Sequence, residues 1–265
     1  NRCLERNMRR IGNFQFLERS HFLSLSADMG GPDPGCIGKY RGKELHEDEY
    51  AYDIILRLGR ELMKSGAKVH FIIQDAKDGI RDQAILNNSS GKLAWEGYSV
   101  EQVARLQQRC DAVNRMYRKD KSSYKRAVFI HVDSRARNNQ TDVYFYHAPG
   151  SSKGKRLARE IQRTFRSKYD RHQPNRGFDG TVSERNLFVL RNTTPVAVSW
   201  KLEISRMRED QKTSGHCRQS SGLSNWITLA IEKITGKDNL ISHKKSQALQ
   251  RLPDFFYICE SRLFI

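Results

Sequence analysis

Hydrophobic and polar positions along the chain change period repeatedly, and each change marks a predicted element. "HFLSLS" (21–26) alternates and reads as a first strand. From Tyr50 the period turns helical. Ala51, Ile54, Ile55, Leu58 and Leu62 share one face of a helix that ends near Gly66. "AKVHFII" (67–73) predicts a second strand, and residues 75–99, with "NNSSGK" and no sustained period, an excursion loop. Val103, Leu106, Cys110, Val113 and Tyr117 line a second helix. "RAVFIHV" (126–132) is apolar on both faces, as a central strand should be, and "DVYFYH" (142–147) follows as another strand.

"SSKGKRLAREIQRTF" predicts a helix with Leu157, Ile161 and Phe165 inward. "NLFVL" and "PVAVSWKL" are two further strand candidates. A last helix carries Leu223, Trp226, Ile227, Ala230, Ile231 and Ile234 on one stripe. Strands alternating with helices predict an α/β fold: one central, mostly parallel or mixed sheet of about six strands, with helices on both faces. Residues 1–20 read as an N-terminal tail, 21–234 as the α/β domain and 235–265 as an appended segment. No internal repeat is present.

Composition changes this picture in two ways. Hydrophobic residues make up only 37% of the 265, so the core is wrapped in a wet, charged surface. No apolar run approaches the roughly 18 residues that span a bilayer. No secretory signal is visible, in a chain that begins at Asn1. The net charge of +17 favours anionic partners: nucleic acid, acidic membranes or anionic wall polymers. A solvated basic face is the equally economical reading. The basic residues are spread along the chain without a nucleic-acid motif, which ranks a nucleic-acid binder third among the functions considered. Five widely spaced cysteines with no CxxC pair exclude a zinc ribbon and argue against a disulfide framework.

The stretch with the densest turn chemistry is "ADMGGPDPGCIG" (27–38), between the first strand and the first helix. It is followed in order by "GKELHEDEYAYDIILRL", "LQQRCDAVN", "VFIHVDS", "DVYFYH", "SKGKRLAREI", "NRGF" and "NLFVLRNTTPVAV". This collinear set resembles the zinc-dependent N-acetylmuramoyl-L-alanine amidases, the amidase type 3 catalytic domain, over roughly residues 21 to 234. The resemblance implies hydrolysis of the amide between muramic acid and the stem peptide of bacterial peptidoglycan. It also implies a periplasmic or extracellular place of action, and zinc as cofactor.

The resemblance implies a site as well. Glu47 matches the family's helix glutamate and His131 its strand histidine, both metal ligands. Alone, Glu47 is one acid among Glu44, Asp48 and Glu49, and a strand histidine such as His131 is often a core residue. Met29 stands where the family has its first histidine ligand, and a thioether is a poor ligand for zinc in an oxygen-rich site. Asp28 or His46 is a possible substitute. Trp200 or Lys201, depending on register, takes the place of the catalytic glutamate, and Glu203 is the nearest acid, usable as a base only if a bulge shifts it. Arg176 in "PNRGF" matches a loop over the family's cleft and suits a stem-peptide carboxylate, or is an exposed turn residue. Arg109 and Asn114 match the family's second helix. The alternative function is a catalytically inactive relative that binds wall fragments.

Overall fold

A computed structural model describes residues 22–27, 35, 37–40, 42–73, 79–83, 85–86, 101–122, 124–133, 143–175, 177–203 and 220–235. The expected tail (1–20) and nearly all of the appended segment (235–265) lie outside these. The strands are β1 (Phe22–Ala27), β2 (Ile37–Tyr40), β3 (Lys43–His46), β4 (Lys68–Phe71), β5 (Lys125–Asp133), β6 (Val143–His147), β7 (Gly180–Glu184) and β8 (Val196–Glu203). The helices are α1 (Glu47–Lys64), α2 (Gln102–Lys119), α3 (Ser152–His172), α4 (Phe188–Asn192) and α5 (220–235).

The main sheet runs β4-β1-β5-β8-β6-β7. Its neighbours are parallel except β6 and β8, so the sheet is mixed. Alternation along β5 divides its residues between two cores. Val128 and Ile130 join Val198, Trp200 and the inward residues of α1, α3 and α5 on one face. Ala127 and Phe129 meet Ala197, Cys110 and Val113 of α2, and Val189 and Leu190 of α4, on the other. Helices therefore cover both faces of an α/β fold.

The helical stripes sit where the period places them. Ala51, Ile54, Ile55, Leu58 and Leu62 are at most 1% exposed. Helix α1 ends as Gly66 turns to φ +85, and Ala67 N–H closes back on Leu62 O at 2.9 Å. Arg57 is buried in α1 with every part of its fork engaged. It donates to Asp53 Oδ2 (2.8 Å), Ser221 Oγ (2.9 Å), Arg81 O (2.8 Å) and Asp82 Oδ1 (2.8 Å). That fan ties α1 to α5 and to residues 81 and 82, satisfying a charge that would otherwise be costly to bury.

Two sequence expectations are corrected. "NLFVL" forms helix α4, not a strand. Asn192 Nδ2 and Thr193 Oγ1 donate to Phe188 O (3.0 Å) and Val189 O (2.7 Å), closing the helix end with side chains. The strand slot is taken by "GTVSE", paired parallel to β6; with Val182 as its one large apolar residue it gave no strand period. Val103, assigned to the buried stripe of α2, is 55% exposed, because the first turn of α2 stands clear of the second core. An antiparallel β2–β3 hairpin also precedes α1. Its two-residue turn needs the φ of +76 that Gly42 supplies.

Candidate metal centre

The site begins where hairpin strand β3 runs directly into α1. Glu47 is the first residue of the helix rather than lying before it, and Asp48 and Glu49 complete an acidic first turn. Carboxylates are favoured there by the helix dipole. Each has a different surrounding. Glu49 is paired with the Arg81 guanidinium. Burial, aided by the neighbouring charge of Glu49, pushes the Asp48 carboxyl up to about 7. Glu47 is 3% exposed and accepts the N–H of Val132 at 3.2 Å, which fixes its carboxylate against the end of β5.

His131 comes to the same point from the sheet. Its Nδ1 lies 3.4 Å from Glu47 Oε1, and its side chain keeps an exposure of 22%. Eighty-four positions apart in sequence (131 minus 47), the two donor atoms meet at one rim of the sheet. Two ligand atoms bound to a tetrahedral zinc at its usual bond lengths stand about 3.4 Å apart. The pair therefore fits two positions of a zinc site, one oxygen and one imidazole nitrogen. Among the described residues no group of three or more His, Cys, Asp or Glu side chains is arranged to hold a metal. Met29 and Asp28 lie outside the described residues. His46, 7% exposed, faces Glu44 instead, with Nε2 3.1 Å from Oε2.

Strand β8 completes the neighbourhood. Its register pairs Lys201 with His131 on one side and with Tyr144 on the other. Trp200 points through the opposite face, fully buried, edge-on to Phe145 at 6.4 Å between ring centroids. Of the two residues that sequence left open, Lys201 is the one on the same face of the sheet as His131, while Trp200 points into the core beneath α1. The β5–β8 ladder continues unbroken to the pair Asp133 and Glu203. No bulge carries Glu203 toward His131, and it stays two residues further along, about 6.6 Å. The side chain of Glu203 and the whole of Arg176 lie outside the described residues.

Arg109, 2% exposed, is buried within the α2 side of the sheet. Asn114 has a structural part. Its Nδ2 donates to Asn192 O (2.8 Å) and its Oδ1 accepts Thr194 N–H (2.7 Å), clamping α2 to the turn that feeds β8. Sequence reading missed two features: the Arg57 fan and the anchoring of Glu49. Their signal was present, because Glu49, Asp53 and Arg57 recur every four residues on the buried side of α1.

Comparison with known proteins adds three findings. A family model described as N-acetylmuramoyl-L-alanine amidase matches residues 25–233. Among solved structures, the catalytic domain of CwlV, an amidase from Bacillus (Paenibacillus) polymyxa var. colistinus, aligns with TM-score 0.56 at 17% identity, covering 81% of this chain and 97% of that one. The CwlD amidase from Clostridioides difficile, solved in complex with the GerS lipoprotein, aligns with TM-score 0.58 at 18% identity over 80% and 96%. An N-acetylmuramoyl-L-alanine amidase from Clostridium difficile 630 gives 0.55 at 19% over 82% and 97%. At such identities these neighbours establish the fold. No curated protein matches the sequence significantly.

Proposed function

This chain belongs to the N-acetylmuramoyl-L-alanine amidase family, and from that premise we propose that it acts on bacterial peptidoglycan as an amidase-like hydrolase. Its bond is the amide between muramic acid and the stem peptide, and its place of action is the periplasm or the cell exterior. The observation that carries this reading is the 3.4 Å approach of His131 Nδ1 to Glu47 Oε1. Those two residues would hold zinc. When bound, the ion lowers the pKa of its water toward about 7 and polarises the scissile carbonyl.

The chain's own residues set how far this chemistry runs. Val132 N–H orients the Glu47 carboxylate, so that ligand is positioned before any ion arrives. Lys201, in register with His131, places an ammonium where a hydrolase needs a proton acceptor. An ammonium only donates. It can hold an anionic group of the substrate but cannot take a proton from water, so turnover is slow. Arg176 suits a stem-peptide carboxylate through its bidentate fork.

The same lysine favours a second reading, a catalytically lapsed relative that binds wall fragments. One experiment separates them: purified protein with added zinc is incubated with muropeptides, and both metal binding and stem-peptide release are followed. The first reading expects one zinc per chain, slow release, and faster release from Lys201→Glu. Muropeptide binding with neither zinc uptake nor release, in wild type and Lys201→Glu alike, leaves the second.

A further inference from the structure

Helix α3 presents a predominantly basic solvent face between residues 155 and 166. Its inward side is filled by Leu157, Ala158, Ile161, Phe165 and Tyr169, all buried. On the opposite side Lys155, Arg156, Arg159, Arg163 and Arg166 are exposed. At about 100° of turn per residue the five fall within an arc of roughly 100°, and their Cα positions span about 17 Å of the axis. The first turn of α3 contains no acid. Two acids of the helix lie near them: Glu160, tucked mostly inward, reaches Arg163 Nη1 at 3.6 Å, and Asp170 is exposed on the same side one turn beyond Arg166, which sets five positive charges against two negative. Like charges three and four residues apart repel. The helix therefore owes its place to its apolar underside, and its outer face is relieved by any ligand that supplies negative charges along a line.

The surroundings select among polyanions. An anionic bilayer engages a basic helix through flanking apolar side chains. Among the described residues the exposed large hydrophobics are Ile37 and Val103, neither of them on α3. Single-stranded nucleic acid needs aromatic platforms for its bases, but Phe165 and Tyr169 face the core. A duplex is read by a helix that brings base-contacting amides and hydroxyls to the groove as well as cations, whereas the exposed positions of α3 between 155 and 166 are Lys and Arg alone. A linear phosphodiester chain without bases meets each of these conditions. Its charges are regularly spaced, it needs no stacking surface, and it can lie along a narrow stripe. The stripe's own steps of three or four residues advance about 4.5–6 Å.

We propose that the Lys155–Arg166 face of α3 docks a base-free poly(polyol phosphate), an anionic polymer of the cell wall. This surface goes beyond the amidase reading and needs no metal at Glu47 and His131. The test titrates the full chain with deacylated poly(glycerol phosphate) between 50 and 200 mM salt, where the Debye length falls from about 14 to about 7 Å. It compares wild type with the combined variant Arg159→Gln, Arg163→Gln, Arg166→Gln. The expected result is a tenfold or greater loss of affinity in the variant at low salt. The log–log salt slope should flatten by about 2, the value for three lost phosphate contacts on a flexible strand. An unchanged circular dichroism spectrum and melting temperature show that the variant is folded. Chelation of zinc leaves binding intact, so failure of the metal reading and failure of this one are distinguishable. The proposal is overturned by a variant that binds as wild type does. It is equally overturned if wild type prefers a charge-matched oligonucleotide, single or double stranded, or phosphatidylglycerol vesicles over the polymer.

Discussion

Strands β5 and β8 lie side by side in one parallel ladder, and their ends carry opposite chemistry. Two residues before its end β5 carries His131, an imidazole in contact with a buried carboxylate from α1. β8 carries Lys201, a cation at the matching register position. The same backbone arrangement thus presents a candidate metal ligand on one strand and a group of a metal ion's own charge on the next. Interior packing is alike on the two strands: Val128 and Ile130 on β5, Val198 and Trp200 on β8, share one core. What the difference teaches is that neighbouring strands can share their packing on both faces and still differ at the positions where the ladder leaves the two cores.

The sharpest way to break this comparison is to place a glutamate at each of the two candidate positions on β8. Trp200→Glu removes a fully buried indole that packs against Phe145 and puts a charge in its place. The expected cost is about 4 kcal/mol or more, from lost packing and an uncompensated buried charge together. Lys201→Glu changes a half-buried residue and should cost about 1 kcal/mol or less. Urea unfolding of both variants decides the matter. A stable Trp200→Glu would mean that β8 is shifted by one residue and that Trp200, not Lys201, lies beside His131.

The next largest effect concerns the candidate ligand pair. His131→Ala and Glu47→Gln should each lower zinc affinity at least a hundredfold, roughly 2.7 kcal/mol, when measured by competition with a chromophoric chelator. Equal loss from the two variants would tie them to one ion. Loss from only one would show that their 3.4 Å approach is an ordinary ion pair.

Met29→His follows, and it joins the two halves of the comparison. Supplying an imidazole at that position should raise zinc affinity about tenfold or more, equivalent to roughly 1.4 kcal/mol or more. Stem-peptide release should stay slow, because the ammonium of Lys201 is no proton acceptor. Release should rise only when Lys201→Glu is added. Full turnover by Met29→His alone would show that the identity of the residue on β8 does not limit the reaction.

How much of this was legible in the sequence varied with the kind of constraint. The helical stripe Ala51–Leu62 and the doubly apolar strand around Phe129 and Ile130 were readable because burial imposes a strict period on them. The convergence of Glu47 and His131 was readable only through motif order, since nothing local at either residue says that the other is near. The choice between Trp200 and Lys201 was not readable. A register shift of one exchanges the two faces, and both orders are chemically sensible until the β5–β8 ladder is known. α4 was misread for a related reason: "NLFVL" has the composition of a strand, and the side-chain bonds of Asn192 and Thr193 that close it as a helix depend on a three-dimensional arrangement.

A smaller effect sharpens what it means for a strand histidine to be a ligand. His70 lies on β4 of the same sheet, near the buried Lys68–Asp120 ion pair. Burial, together with the nearby charge of Lys68, pushes its imidazole down to about 4. The folded value lies below the ordinary one near 6.5, so the unfolded chain takes up a proton first as pH falls. His70 therefore costs the fold nothing above pH 6.5, and stability drains away as pH drops from there toward 4 before levelling off. Solvent at the partly exposed ring weakens the effect, so the expected fall in melting temperature between pH 7 and pH 4.5 is about 2–4 °C from this residue. His70→Gln should flatten that part of the profile while leaving zinc affinity unchanged. His131→Ala should do the reverse, abolishing zinc binding without removing the slope between pH 6.5 and 4. A His70 variant that lost zinc, or one whose pH profile matched wild type, would erase the distinction between a histidine buried for packing and one placed at a strand end for chemistry.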